Sequence, residues 1–121
     1  MEVILDSSFI ISCVRARIDF MTQLEEQGFK VLVPKEVMQE MKDLRLKKKT
    51  SRDDRIAIDV AQEMLNSSKV KKMSIGKGKV DDNLIKMGVA GAYIATLDRV
   101  IKRQIPNKVV IFSAQGRVGI E

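Results

Sequence analysis

The sequence predicts a three-layer α/β sandwich whose central parallel sheet has four to five strands. Short apolar runs recur along the chain, each too short for the core of a helix, and they fit buried strands. Between them, apolar residues recur at helical spacing, which predicts amphipathic helices. Strands that alternate with helices imply a parallel sheet covered on both faces. The 121 residues suffice for one domain and not for two, so we expect a single domain over residues 1–121.

The first half of the chain predicts two buried strands, each followed by helix. Val3–Leu5 fits the first strand, and helical spacing of apolar residues then runs from about Ser8 to Gly28, a helix-stop residue. Val31–Val33 fits the second strand, and Pro34 stands where it favours the first turn of a helix. We therefore expect one or two helices between these strands and another helix after the second.

The second half continues this alternation. Its predicted elements are a helix from Ser51, a strand over Val70–Ile75, a loop over Gly76–Lys79, a helix opening at Asp81–Asp82, a strand over Tyr93–Ala95, a helix from about Asp98 to Gln104, and a last strong strand over Val109–Phe112. We expect Ile56 and Val60 on the apolar side of the first of these helices. Val89 is expected in the core under the second.

The absence of histidine excludes several classes of enzyme. It removes Ser-His-Asp and Cys-His nucleophiles, an imidazole base and any zinc site built on histidine. The single cysteine, Cys13, cannot close a disulfide within the chain, and no apolar run reaches the roughly 18 residues of a membrane helix. We therefore expect a cytoplasmic protein with no membrane association. An enzyme of this composition works with carboxylates, lysine, hydroxyls or a metal held by oxygen.

Positive charge is concentrated in two short segments. Lys42–Arg55 contains seven basic and three acidic residues, and Lys69–Lys79 contains five lysines and no acid. Their net charges are +4 and +5, so the rest of the chain carries −3 of the total of +6. This distribution indicates a surface for a polyanion. The alternative is a solvated face that keeps the protein soluble.

Acidic residues stand near the ends of the predicted strands. Asp6 directly follows the first strand, Asp98 follows a later one, Asp81 and Asp82 open a helix, and Glu40 lies in the helix after the second strand. Taken singly, each has an ordinary structural explanation, such as a helix N-cap. Because function in α/β sheets gathers at the carboxyl ends of strands, we expect these acids to converge. Converging carboxylates repel unless a cation neutralises them, and an all-oxygen donor set favours Mg²⁺ or Mn²⁺. Beside basic segments, such a site predicts phosphodiester hydrolysis.

Four segments of the chain together resemble the PIN-domain nucleases. They are Val3–Ile10, Val33–Pro34 with Val37–Met41, Val80–Ile85, and Ile94–Arg99 with Ile101–Arg103. Each resembles a family motif that carries one acid, and the likeness covers nearly the whole chain. Ser7-Ser8 stands where the family often has Thr-Asn. The run Asp6–Asp19 and the Asp81–Asp82 pair resemble the branch that processes small-subunit ribosomal RNA, with its archaeal relatives. The resemblance implies a PIN-like fold and a metal-dependent endoribonuclease.

The resemblance also implies roles for individual residues. The ligands of Mg²⁺ or Mn²⁺ would be Asp6, Asp98 and Asp81 or Asp82, a choice that the motif leaves open. Glu40 would complete the acidic site by orienting a water, while Ser7 and Thr96 would support the ligands through hydrogen bonds. Structured or ribosomal RNA would be held through its backbone by Lys47, Lys48, Lys49, Arg52, Arg55, Lys77 and Lys79. Aromatic residues are too few to supply much base stacking.

Three other functions remain open. A VapC-type toxin ribonuclease would share the four acids, and an adjacent antitoxin gene would favour it. A non-catalytic RNA-binding module on the same fold would use only the basic segments. A phosphoacceptor receiver domain has comparable length but needs a lysine at the end of the last strand, where Phe112-Ser113-Ala114 stands. The oligomeric state is also open, with a homodimer as one expectation.

Overall fold

A computed structural model of the chain describes residues 1–68 and 70–121. The described residues form the strands β1 (Glu2–Leu5), β2 (Lys30–Pro34), β3 (Lys71–Met73), β4 (Tyr93–Ala95), β5 (Lys108–Phe112) and β6 (Arg117–Ile120). Their helices are α1 (Ser7–Arg15), α2 (Phe20–Glu26), α3 (Lys35–Leu46), α4 (Arg52–Ser67), α5 (Val80–Val89) and α6 (Arg99–Gln104). Within these ranges no helix is long and apolar enough to cross a membrane. Lys69, the first residue of the second basic segment, lies outside the described residues.

The strands form one sheet in the order β3-β2-β1-β4-β5-β6. β1 lies in its middle, parallel to both neighbours, with Val3 opposite Val31 of β2 and Tyr93 of β4. β3 is parallel to β2 and β5 is parallel to β4, whereas β6 pairs antiparallel with β5. The next two strands in the chain, β2 and β3, thus lie on one side of β1, and the last three strands lie on its other side. The switch in strand order falls between β1 and β4, and α/β sheets bind their ligands at this position.

The side chains of β1 point alternately to two apolar layers. Val3 and Leu5 share a cluster with the buried residues of α1, α2, α3 and α4. Ile4 faces the opposite layer, where it clusters with Leu84 of α5 and Ile101 of α6. A strand buried on both faces is typical of a parallel sheet between two layers of helix. The predicted three-layer α/β fold is therefore confirmed.

The sheet has six described strands, more than the four to five predicted. The strand predicted over Val70–Ile75 is present, but it is shortened to Lys71–Met73. The strand β6 was not predicted, because its apolar signal is confined to a buried Val118 and a half-exposed Ile120. The turn that returns it to β5 ends at Gly116, which has a φ of +60°. A left-handed residue there allows the sharp reversal.

Three predictions of buried helical residues were wrong. Ile56 and Val60 are about half exposed, because α4 packs on the core through Ala57, Ile58, Ala61 and Leu65. Val89 is 64% exposed, and the inward position on α5 belongs instead to Gly88. A Cβ atom on Gly88 would collide with the side chain of Ile105, so only glycine fits this close approach to the segment after α6.

Candidate active site

Asp6 is a buried carboxylate at the end of the central strand. Its side chain is only 4% exposed and accepts hydrogen bonds from Thr96 Oγ1 at 2.7 Å and from the backbone N–H of Ser7 at 2.8 Å. Ser8 Oγ donates a longer bond of 3.2 Å. Burial raises the pKa of Asp6 above its usual range, and these hydrogen bonds partly oppose the shift. Three hydrogen-bond donors therefore fix the orientation of the Asp6 carboxylate.

Thr96 connects Asp6 to the next acid. Its buried hydroxyl donates to Asp6 Oδ2 and accepts from the backbone N–H of Asp98 at 3.1 Å. Asp98 caps α6, accepting from the N–H groups of Val100 at 2.8 Å and Ile101 at 3.3 Å. Only one carboxylate oxygen of Asp98, Oδ1, accepts these capping bonds. The Asp98 carboxylate thus has a structural role at the helix end and also lies beside the cleft.

Glu40 and Asp81 approach the same cleft from two other helices. The Ser7 hydroxyl donates to Glu40 Oε1 across the gap between α1 and α3. Burial raises the pKa of Glu40, and the negative charges of Asp6 and Asp81 raise it further. Burial also raises the pKa of Asp81, followed by the charges of Asp98 and Asp82. These electrostatic effects indicate a site that gains stability when its negative charge is neutralised.

The four acids line one shallow cleft of about 400 Å³. Its walls are Asp6, Ser7, Ser8, Glu40, Asp81, Leu97 and Asp98, and Asp82 is not among them. Within the described ranges, no three side chains of metal-binding type are close enough together to form a ready-made ligand cage. The donor set nevertheless fits a hard divalent cation, because Mg²⁺ usually keeps several waters and binds through one or two carboxylates.

A second cleft, of about 570 Å³, shares Ser7 and Glu40 with the first. It extends along α3 to Lys47, whose positive charge acts on Glu40 in the sense that lowers its pKa. Lys48, Lys49 and Arg52 follow in the chain and are exposed. The first half of the basic segment Lys42–Arg55 therefore lies along this cleft, and its other basic residues continue beyond the cleft.

The other predicted basic residues lie in two different environments. Arg55 is partly buried and donates from Nη2 to the carbonyl of Lys47 at 3.0 Å, so its guanidinium braces the turn after α3. Lys77 and Lys79 are exposed on the loop before α5. Lys79 is near enough to Asp81 for its charge to lower the pKa of that carboxyl, against the larger effect of burial. Basic residues from two separate segments of the chain thus lie near the acid cleft.

Sequence reasoning missed Ser8 as a component of the site. Its hydroxyl donates to Asp6 and accepts from the backbone N–H of Leu97 at 3.2 Å, which joins α1 to the turn after β4. A serine in the first turn of a helix is an ordinary residue, and only the tertiary contact with Leu97 reveals this function. Its sequence signals are its position two residues after Asp6 and the resemblance of Ser7-Ser8 to the pair that is often Thr-Asn in the PIN family.

Comparison with known proteins identifies the family and the fold. A family model described as a PIN like domain matches residues 3–116. Among solved structures, that of the PIN domain endonuclease Utp24 is similar, with a TM-score of 0.73 over 99% of this chain and 90% of that chain, at 19% sequence identity. No curated protein matches the sequence. The family match covers most of the chain, and the protein therefore belongs to the PIN-like domain family.

Proposed function

We propose that this protein is a divalent-metal-dependent endoribonuclease that hydrolyses phosphodiester bonds in RNA. The observation that carries the proposal is the arrangement of four carboxylates from four separate segments around one cleft, with lysines from two chain segments near it. The similar fold of the endonuclease Utp24 supports the reaction class. The resemblance of Asp6–Asp19 and the Asp81–Asp82 pair to one branch of the family supports ribosomal RNA as the substrate.

Asp6, Asp81 and Asp98 would hold Mg²⁺ or Mn²⁺, partly through water. Asp81 is preferred to Asp82 because only Asp81 lines the cleft and acts electrostatically on Asp6 and Glu40. When bound, such an ion lowers the pKa of a water and offsets negative charge on the attacked phosphate.

The protein's own side chains would supply orientation and substrate binding. Glu40, held by the Ser7 hydroxyl, would orient the attacking water towards the phosphorus. Thr96 and Ser8 would keep Asp6 in place, since both donate to its Oδ2. Exposed lysines around the cleft would hold the neighbouring phosphates, so recognition would depend on the RNA backbone and its shape.

The matched pair Asp81→Asn and Asp82→Asn tests this assignment. We expect Asp81→Asn, like Asp6→Asn, to reduce Mn²⁺-dependent cleavage of a structured RNA at least about 100-fold, because a ligand contributes more than the residues that support it. Asp82→Asn makes the same change in charge one residue away and is expected to retain most activity. Circular dichroism checks that each variant folds. Full activity of Asp6→Asn, in preparations free of contaminating nuclease, would overturn the proposal.

A non-catalytic RNA-binding module is the second candidate. It is favoured by one observation, namely that the described acids do not form a ready-made cage for a cation. This function predicts salt-sensitive RNA binding without cleavage in the presence of any divalent ion. The same assays, run with Mg²⁺, Mn²⁺ and EDTA, distinguish the two candidates.

A further inference from the structure

The segment Ser74–Lys79, here called the lysine loop, joins β3 to α5 and carries Lys77 and Lys79. It contains two glycines with positive φ, Gly76 at +91° and Gly78 at +102°. A short loop rich in glycine and lysine is expected to be mobile in isolation. In this protein, however, side chains from two different helices hold it.

Glu36, in the first turn of α3, binds the start of the lysine loop. Its carboxylate accepts from Ser74 Oγ at 2.7 Å and from the backbone N–H of Ile75 at 3.1 Å. Ser74 Oγ in turn accepts from the N–H of Gly76 at 3.3 Å. The hydrogen bond from Ser74 is the main cause that lowers the pKa of Glu36, so the carboxylate is ionised at neutral pH.

Asn83, on a different helix, binds the middle of the lysine loop. It lies on α5, is 8% exposed, and donates from Nδ2 to the carbonyl of Lys77 at 3.0 Å and to that of Gly76 at 3.4 Å. A buried amide is costly unless its polar atoms are bonded, and an apolar residue would otherwise suit a position beside the buried Leu84. The contacts with the lysine loop explain why asparagine stands here.

The held loop ends beside the acid cleft. Lys79 immediately precedes α5, and its charge reaches Asp81, which lines that cleft. Fixing the backbone of Lys77 and Lys79 before RNA arrives reduces the conformational entropy lost on binding. The lysine loop is therefore placed to meet a phosphate next to the one that is cleaved.

We infer that Asn83 and Glu36 are positioning residues, which preset the lysine loop so that Lys77 and Lys79 bind a phosphodiester adjacent to the scissile one. The inference rests on the proposed function, because it takes RNA as the ligand. In this inference Asn83 and Glu36 do not contact the RNA. They affect RNA affinity only by holding the backbone of Lys77 and Lys79.

The test measures RNA affinity against salt concentration in EDTA, where no cleavage occurs, for the full chain and its variants. We expect Asn83→Ala to weaken binding and to reduce the slope of log K against log salt by about one, the contribution of about one phosphate contact. Asn107→Ala is the matched control, since its amide also donates to a loop carbonyl, that of Gly91 at 3.1 Å, and it is expected to leave the slope unchanged. Hydrogen exchange at Gly76–Lys79 should accelerate in Asn83→Ala and should not change in Asn107→Ala.

A double-mutant cycle with Lys77→Ala/Lys79→Ala decides whether Asn83 acts through the lysines. We expect Asn83→Ala to cause no further loss of affinity in that background. If Asn83→Ala does not fold, Glu36→Gln, at a more exposed position, carries the same expectation. A slope for both variants equal to that of Asn107→Ala would overturn the inference while leaving the proposed function intact. Absence of salt-dependent RNA binding by the unaltered protein would overturn the proposed function itself.

Discussion

At the scale of single residues, the hydroxyl of Thr96 links two of the acids in the cleft. It donates to Asp6 and accepts from the backbone N–H of Asp98. One buried oxygen atom therefore connects the residue that follows β1 with the residue that caps α6. Such supporting hydrogen bonds restrict the directions in which a carboxylate can present its oxygens. The expected metal affinity therefore depends on a residue that does not touch the ion.

Thr96→Val removes this hydroxyl while keeping the side-chain shape. We expect the affinity for Mn²⁺ to fall about 10- to 100-fold, because Asp6 loses its principal hydrogen-bond donor in a buried environment. Titration calorimetry of the metal measures the effect without reference to cleavage. Thr96→Ser keeps the hydroxyl and should restore most of the affinity, whereas equal affinities for the valine variant and the unaltered protein would contradict the expectation.

The sequence offers candidate acids more readily than it offers their surroundings. Asp6, Asp81 and Asp98 stand out because strand ends and helix starts have local signals, whereas Glu40 lies within α3 and has no such signal. The role of Ser8 could not, because its contact with Leu97 joins residues far apart in the chain. The same holds for Glu36 and Asn83, whose partners lie in a loop that the sequence places only approximately.

At the scale of elements, α5 shows how one close contact determines which face of a helix is buried. Gly88 allows the helix to approach Ile105, and the neighbouring Val89 is left exposed. The sequence predicted the opposite, since valine is apolar and glycine carries no periodic signal. Similarly, the small Ala57 and Ala61 let α4 approach the core and leave the larger Ile56 and Val60 partly exposed.

Gly88→Ala tests this account of α5. Alanine has the higher helix propensity, which alone would stabilise the protein by up to about 1 kcal/mol. We expect destabilisation by about 1–3 kcal/mol instead, because the added methyl group overpacks against the Ile105 side chain. Urea unfolding monitored by circular dichroism measures the change. Val89→Ala, on the exposed neighbour, should change stability far less, and a more stable Gly88→Ala variant would refute the explanation.

At the scale of the whole molecule, the acid cleft makes stability depend on pH and on metal. Burial raises the pKa of Asp6, Glu40 and Asp81 in the folded state. The folded protein then binds more protons than the unfolded chain at any pH between the ordinary and the raised values. Near neutral pH, the three ionised groups therefore lower the free energy of unfolding. This destabilisation decreases as the pH falls through their raised pKa values towards about 4, because the groups then become protonated.

This dependence of stability on pH and metal can be measured by comparing the unaltered protein with Asp6→Asn. In EDTA, the stability of the unaltered protein relative to Asp6→Asn should increase as the pH is lowered from neutrality, because the variant lacks the buried charge. Adding Mg²⁺ at neutral pH should stabilise the unaltered protein and have much less effect on the variant. Urea midpoints across the pH range give the difference. A difference that is independent of both pH and metal would show that the acids are not electrostatically coupled to folding.

The fold class was predictable because the alternation of short apolar runs with helical periodicity recurs along the chain. The edges of the sheet were less predictable. β6 carries little apolar signal, and β3 begins with two exposed lysines, so neither has the pattern of a buried strand. Edge strands are stabilised by pairing with a neighbour that is already formed, and this contribution is absent from any local pattern.

The central position of β1 has a consequence for the order in which the protein is made. Asp6 precedes Thr96 by 90 residues in the chain, yet its backbone N–H bonds to the carbonyl of Ala95 and its side chain accepts a hydrogen bond from Thr96. A nascent chain that stops short of β4 lacks both partners as well as Asp98. The four carboxylates therefore come together only after the segment that contains β4 and Asp98 has left the ribosome. Under the proposed function, a growing chain is therefore expected to be inactive until this segment has left the ribosome.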